Sequence, residues 1–201
     1  QGCMGVASGD FNADGRLDLF VTNYWNEPGN LYLQRTSGFF SDSAAQLKLA
    51  EPTRQTVGFG AQATDLDRDG ALDLAMLNGH VFNPADNGTP EIPFRMTPQC
   101  FRNTKYGFVE CKTLANHDPF WSTATLGRTL ARIDYNQDGK QDLIANHLDA
   151  PAALLENQTE GGRWLRLELV GVTSERDAVG ATITAQSKDR QWTQWVVGGH
   201  G

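Results

Sequence analysis

Asp10-Phe-Asn-Ala-Asp-Gly-Arg-Leu-Asp18, Asp65-Leu-Asp-Arg-Asp-Gly-Ala-Leu-Asp73 and Asp134-Tyr-Asn-Gln-Asp-Gly-Lys-Gln-Asp142 are three copies of one acidic nonapeptide, D-x-[DN]-x-D-G-x-x-D. Oxygen-bearing side chains at alternate positions can surround one hard cation if the chain turns sharply after the third of them. Gly15, Gly70 and Gly139 permit that turn because glycine has no Cβ. The expected donors are the side chains of Asp10, Asn12, Asp14 and Asp18, of Asp65, Asp67, Asp69 and Asp73, and of Asp134, Asn136, Asp138 and Asp142. The backbone carbonyls of Arg16, Ala71 and Lys140 complete each shell. An all-oxygen set suits Ca²⁺ better than Zn²⁺ or copper, and better than Mg²⁺, which keeps its waters. About three Ca²⁺ ions are expected, the second loop binding tightest because it alone offers four carboxylates.

The loops belong to a longer repeat. Asp10 and Asp65 are 55 residues apart, Asp65 and Asp134 69. Gly38-Phe39 and Gly107-Phe108 both stand 27 residues before the next loop, so the extra 14 residues lie earlier, around Asn83 to Pro98. That insertion carries Pro84, Pro90, Pro93 and Pro98. A period of about this length with an embedded loop indicates supersecondary units packed side by side.

The flanks decide what the units are. An EF-hand needs a bidentate Glu at position 12, where this chain has Val21, Met76 and Ala145. The following segments, Leu17 to Asn23 and Leu72 to Asn78, have strand length and strand composition. Short strands are also expected at Leu31–Gln34, Cys100–Asn103 and Leu154–Asn157, then after a glycine turn at Phe39–Asp42 and Phe108–Cys111. The fold class is therefore all-β, a partial β-propeller of three four-stranded blades. Residues 1–160 hold the blades (about 1–55, 56–121 and 122–160), and a small, incomplete β domain occupies 161–201. Three blades cannot close a ring, which takes about four to eight. The expectation is a piece of a longer protein, or a chain whose ring is completed by missing repeats or other chains.

The strand, acidic loop and strand from Gly5 to Asn23 resemble the FG-GAP or VCBS repeat of integrin-α-like propellers. That resemblance implies Ca²⁺ on the blade edges. The tail, with Trp164, Leu165, Gly171, Arg176, Asp177, Gly180 and Ala181, resembles the ASPIC/UnbV domain that follows such repeats in cartilage-acidic-protein-like and bacterial secreted proteins. There the tail would be a β domain, with Trp164, Trp192 and Trp195 in alternating stretches that serve as core.

Composition fits. The formal charge is −7 over 201 residues, and the loops hold ten of the 24 acidic side chains. No basic stripe suggests nucleic acid, and no apolar run is long enough to span a membrane. Cys100 and Cys111 flank the turn Thr104–Gly107, which places them on adjacent strands as an expected disulfide worth roughly 2–3 kcal/mol, the alternative being two half-buried thiols. Cys3 has no partner in the chain. A disulfide and calcium both suit an extracellular or periplasmic location.

Catalytic signals are weak. His80, His117, His147 and His200 lack metal-ligand spacing, and Val6-Ala-Ser-Gly9 lacks the first glycine of a nucleophile elbow. No catalytic residue is assigned. Tyr24 and Trp25 could stack on a sugar or a partner, or pack between blades. Phe82, Ile92, Phe94 and Met96 of the insertion could form a binding surface or cover a seam. The sequence thus points to a calcium-stabilised extracellular binding or adhesion module with a protein or glycan partner. A propeller lyase or hydrolase and a lectin-like propeller are the alternatives.

Overall fold

The computed structural model describes residues 2–198. Three antiparallel sheets follow one another along the chain. The first holds β1 (Val6–Gly9), β2 (Asp18–Val21), β3 (Asn30–Thr36) and β4 (Phe39–Asp42), in that order. A short helix, α1 (Ala50–Thr53), leads to the second sheet: β5 (Gly58–Thr64), β6 (Asp73–Asn78), β7 (Gln99–Thr104) and β8 (Gly107–Glu110). The third contains β9 (Gly127–Ile133), β10 (Asp142–His147) and β11 (Ala153–Leu155). A hairpin, β12 (Thr182–Gln186) and β13 (Gln191–Trp195), ends the described chain. The architecture is all-β and propeller-like, without a closed barrel.

Period-2 alternation explains how the blades stack. Along β6, Leu74 and Met76 join Phe20, Leu31 and Phe101 in the core toward the first blade. Ala75 and Leu77 point the other way, to Leu130, Leu143 and Ala145 of the third. All six residues of β6 are buried because this strand is packed on both faces. The innermost strands approach closely where glycine recurs with the repeat. A Cβ on Gly5 would collide with the Phe59 carbonyl, and one on Gly60 would lie 2.7 Å from the Arg128 carbonyl oxygen. The far faces of the outer blades are open: Val6, Ile144 and Leu154 are exposed.

Two expectations need correction. Among the described residues the third blade has three strands, not four. Asn157 is the counterpart of Gln34 and Asn103, since their backbone N–H groups bond the last aspartate of their own loops. Four residues on, Gly38, Gly107 and Gly161 all have positive φ. The first two turn the chain back into a fourth strand. After Gly161 the chain instead leaves the sheet and runs along the acidic loops, where Gly161 and Gly162 lie against the backbone carbonyls of Asp67 and Arg68. The tail strand expected from Trp164 to Leu169 is also unpaired. Trp164, Leu165 and Leu167 are about half exposed or more. Their alternating pattern has no neighbouring strand to complete it. Trp164 is therefore not core, while Trp192 and Trp195 lie half-buried on β13.

The disulfide is a third correction. Cys100 and Cys111 do face each other, the Cys111 N–H bonding the Cys100 carbonyl at 2.8 Å, yet both thiols are free. The neighbouring Cys111 sulfur and burial push the Cys100 thiol well above its usual range. Cys111 is shifted the opposite way, its thiol lowered by the same hydrogen bond to the Cys100 sulfur, so the two thiols are held as a hydrogen-bonded pair. Cys3 is free and exposed, with its Sγ 3.2 Å from Asn23 Oδ1.

Candidate metal centres and the opposite face

The three acidic loops fold alike, each joining the first two strands of its blade. The fourth residue is left-handed in each although none is glycine: Ala13 at φ 57°, Arg68 at 55° and Gln137 at 60°. Gly15, Gly70 and Gly139 follow two residues later at 80°, 88° and 80°. Such a backbone costs a non-glycine residue about 1 kcal/mol or more, and the enclosed carboxylates offset it. Asp10 accepts the N–H groups of Asp14 and Gly15 at 3.0 and 2.8 Å. Asp65 does the same for Asp69 and Gly70 at 3.0 and 2.9 Å. Asp134 accepts Gly139 N–H at 3.1 Å.

The ninth residue has a role that the motif alone did not reveal. Asp18, Asp73 and Asp142 each open the second strand of their blade and are almost fully buried. One oxygen accepts the N–H of the loop's second residue: Phe11 at 3.0 Å, Leu66 at 3.0 Å and Tyr135 at 3.2 Å. The other accepts an N–H from the third strand side: Gln34 at 2.9 Å, Asn103 at 2.8 Å and Asn157 at 2.8 Å. This aspartate ties loop, second strand and third strand together. The adjoining asparagines extend the tie between blades. Asn103 Nδ2 reaches the Phe11 carbonyl of the first loop at 2.9 Å, and Asn157 Nδ2 reaches the Leu66 carbonyl of the second at 2.8 Å.

Electrostatics shows what the loops lack. Carboxylate oxygens of Asp65, Asp67 and Asp73 lie within 4.8 Å of one another. Burial raises the Asp73 carboxyl to about 7 and Asp18 to about 6, against the lowering effect of their N–H donors, and neighbouring aspartates push both further up. Burial likewise raises Asp10 and Asp65. A cation among these oxygens would supply the missing counter-charge. In the third loop Asp134 Oδ1 is buried and without a hydrogen-bond partner. An orphaned carboxylate oxygen in an all-oxygen shell is a donor suited to a hard cation.

The fifth residue stands apart. Asp14, Asp69 and Asp138 accept the N–H of the seventh residue, Arg16, Ala71 and Lys140, at 3.0, 2.8 and 2.9 Å. Arg16 Nη2 also lies 2.5 Å from Asp14, and Lys140 Nζ 3.1 Å from Asp138. In the second loop, where Ala71 has no charge, Arg102 of β7 takes over at 2.7 Å from Asp67. Sequence reading used Arg16, Ala71 and Lys140 only for their carbonyls. The alternation of a basic side chain between the seventh position and β7 was the available signal.

The end of the blades away from the loops carries the other candidate residues. Tyr24 Oη is 2.7 Å from Nε2 of fully buried His80, whose Nδ1 is 2.7 Å from the Phe82 carbonyl. A proton on Nδ1 would donate to that carbonyl and leave Nε2 to accept from the Tyr24 hydroxyl, while the Phe82 N–H also lies 3.3 Å from Nδ1. Arg128 donates to the His80 carbonyl at 2.8 Å and stacks 4.0 Å over Phe59. Tyr24, His80 and Arg128 thus form a polar seam through all three blades, and Trp25 is half-buried beside it. His117 and His147 are not brought into this seam: His147 Nδ1 lies 3.2 Å from the Pro151 carbonyl, and His200 lies outside the described residues.

The proline-rich insertion does not offer its four apolar side chains together. Phe82 is exposed, Ile92 and Phe94 are half-buried, and Met96 is buried with its sulfur 3.1 Å from Val57 N–H. Met96 also bridges to Thr125, and Arg95 pairs with Asp149 beyond β10. Shortening the segment to the first repeat's length should therefore destabilise the chain by about 2–5 kcal/mol, the usual cost of losing a buried methionine. Urea denaturation of the shortened chain checks this. Unchanged stability would return the insertion to the role of a free surface loop.

The comparisons with known proteins agree with this geometry. Residues 4–76 match the FG-GAP-like repeat family. Over 171 residues, 81% of this chain, the sequence is 31% identical to cartilage acidic protein 1 of Xenopus tropicalis. It is 28% identical over 173 residues to cartilage acidic protein 1 of Mus musculus and 27% identical to that of Homo sapiens. The chain spans about a quarter of the length of these curated relatives (24%, 24% and 23%). The match to the FG-GAP-like repeat covers the first loop and the second, together with strands β1 to β5 and the first four residues of β6.

Proposed function

We propose that these FG-GAP-like blades form a calcium-stabilised, extracellular, non-catalytic binding module that engages a protein or glycan partner. The reading rests chiefly on the three loops of oxygen donors with the same φ pattern, one of which presents Asp134 Oδ1 without a partner. Similarity to cartilage acidic protein 1 supports the extracellular setting, and no helix among the described residues is long and apolar enough to cross a membrane. In this reading calcium has a structural role: it would neutralise the loop between the first two strands of each blade and leave the opposite end free to differ from blade to blade.

Calorimetric titration of the chain with Ca²⁺ tests this. Three sites are expected, the second the tightest, because Asp65, Asp67, Asp69 and Asp73 bring the most charge and ligand charge is a main lever on affinity. Asp69→Ala should then lower overall affinity more than Asp14→Ala or Asp138→Ala. No binding heat with Ca²⁺ would overturn the reading, and an unchanged profile in Asp69→Ala would overturn the ranking.

A further inference from the structure

The glycines of all three acidic loops are covered by side chains from the C-terminal part of the chain. On the first loop, a Cβ at Gly15 would lie 3.4 Å from Gln191 Nε2 and 3.7 Å from Thr193 Oγ1. On the second, a Cβ at Gly70 would lie 2.6 Å from Trp192 Nε1 and 3.0 Å from Arg190 Nη1. Arg190 Nη1 also donates to the Asp69 carbonyl at 2.6 Å. On the third, the Trp164 indole occupies the space where a Gly139 Cβ would stand. Upstream, Thr159 Oγ1 donates to the Leu66 carbonyl at 2.7 Å. Gly70 and Gly139 therefore have two reasons to be glycine, the positive φ of the turn and the close seat of a C-terminal side chain, whereas Gly15 has the positive φ alone and meets its neighbours at ordinary contact distance.

We propose that the three acidic loops are the docking surface for residues 159–195 of the same chain, and that divalent-cation binding and this docking are thermodynamically coupled. The inference rests on the calcium reading above. The indole seats and the Asp69 carbonyl exist only while each loop is curled with its glycine left-handed. A cation holds that curl by neutralising carboxylates that otherwise repel one another. Cation and C-terminal segment thus favour the same loop conformation, and each must strengthen the other by the same factor. Arg190 acts in the opposite sense, since an anionic, metal-free loop attracts it more. It is exposed and contacts a backbone carbonyl, so the attraction is weak in water.

The test uses the full chain. Ca²⁺ calorimetry compares the parent with Trp192→Ala and Trp164→Ala. Tryptic cleavage at Lys188 and Arg190 is then timed in Ca²⁺ and in chelator. Tryptophan-sensitised Tb³⁺ luminescence compares the parent with Trp192→Phe, a change mild enough to preserve folding. Coupling predicts a calcium Kd raised about tenfold by each alanine variant, cleavage about tenfold faster in chelator, and a Tb³⁺ signal reduced by Trp192→Phe. Parent-like Kd values in both alanine variants, with equal cleavage in both conditions, would overturn the coupling while leaving calcium binding intact. A parent chain that binds neither Ca²⁺ nor Tb³⁺ would instead overturn both proposals, which keeps the two failures distinct.

Discussion

Chelation with EDTA should lower the melting temperature of this chain by at least about 5–10 °C relative to millimolar Ca²⁺. Linkage provides the scale: one site occupied at a hundredfold excess over its Kd adds about 2.7 kcal/mol to folding stability. For a chain of this size each kcal/mol is worth roughly 2–4 °C. Metal removal also restores repulsion among Asp65, Asp67 and Asp73, whose oxygens lie within 4.8 Å. Each such pair is worth roughly 1–3 kcal/mol, according to how much water reaches it. The effect should depend on Ca²⁺ concentration, and Mg²⁺ should reproduce little of it, because Mg²⁺ gives up its waters reluctantly. Calorimetric scans in Ca²⁺, Mg²⁺ and EDTA measure all three. A melting temperature that chelation leaves unmoved would rule out a structural role for calcium.

The blades were legible in the sequence because two independent periods agreed there. Alternation marked the strands, and the spacing of Asp10, Asp65 and Asp134 aligned them. Together they placed β2 and β6 to within about a residue of their observed starts. What remained hidden depended on partners distant in sequence. Gly161 matches Gly38 and Gly107 by position, yet the chain after it follows the loops, since the indole of Trp164 finds its seat on Gly139. Nothing local distinguishes a glycine that turns a strand back from one that releases it. The segment Trp164 to Leu169 failed for the complementary reason: alternation states which faces a strand would have and does not supply the neighbour that pairs with it. The apposition of Cys100 and Cys111 was readable from the turn, whereas the unequal burial of the two thiols was not. Tyr24 meets His80 across 56 residues, and their seam could not be read from either neighbourhood alone.

The fifth and ninth residues of each loop should separate sharply on mutation. Asp73→Ala removes an acceptor from the Leu66 N–H and another from the Asn103 N–H, at 3.0 and 2.8 Å, at a position that is 2% exposed. Each buried donor left without a partner costs roughly 1–3 kcal/mol. Part of this is recovered, because the substitution also removes a charge crowded by Asp65 and Asp67. A net loss of about 2–4 kcal/mol is expected even in EDTA, where metal binding plays no part. Asp73→Asn keeps one acceptor oxygen and should fall between alanine and the parent. Asp69→Ala behaves differently, because its carboxylate accepts from Ala71 N–H near the surface of the loop. In EDTA that variant should be close to the parent in stability, and its defect should emerge only as a weaker response to added Ca²⁺. Urea denaturation with and without Ca²⁺ distinguishes the two. Equal losses for Asp69→Ala and Asp73→Ala in EDTA would reduce the ninth residue to one more metal ligand. Unequal losses would make it the point where the loop is tied into the sheet, and Asp18 and Asp142, with the same paired donors, must then behave as Asp73 does.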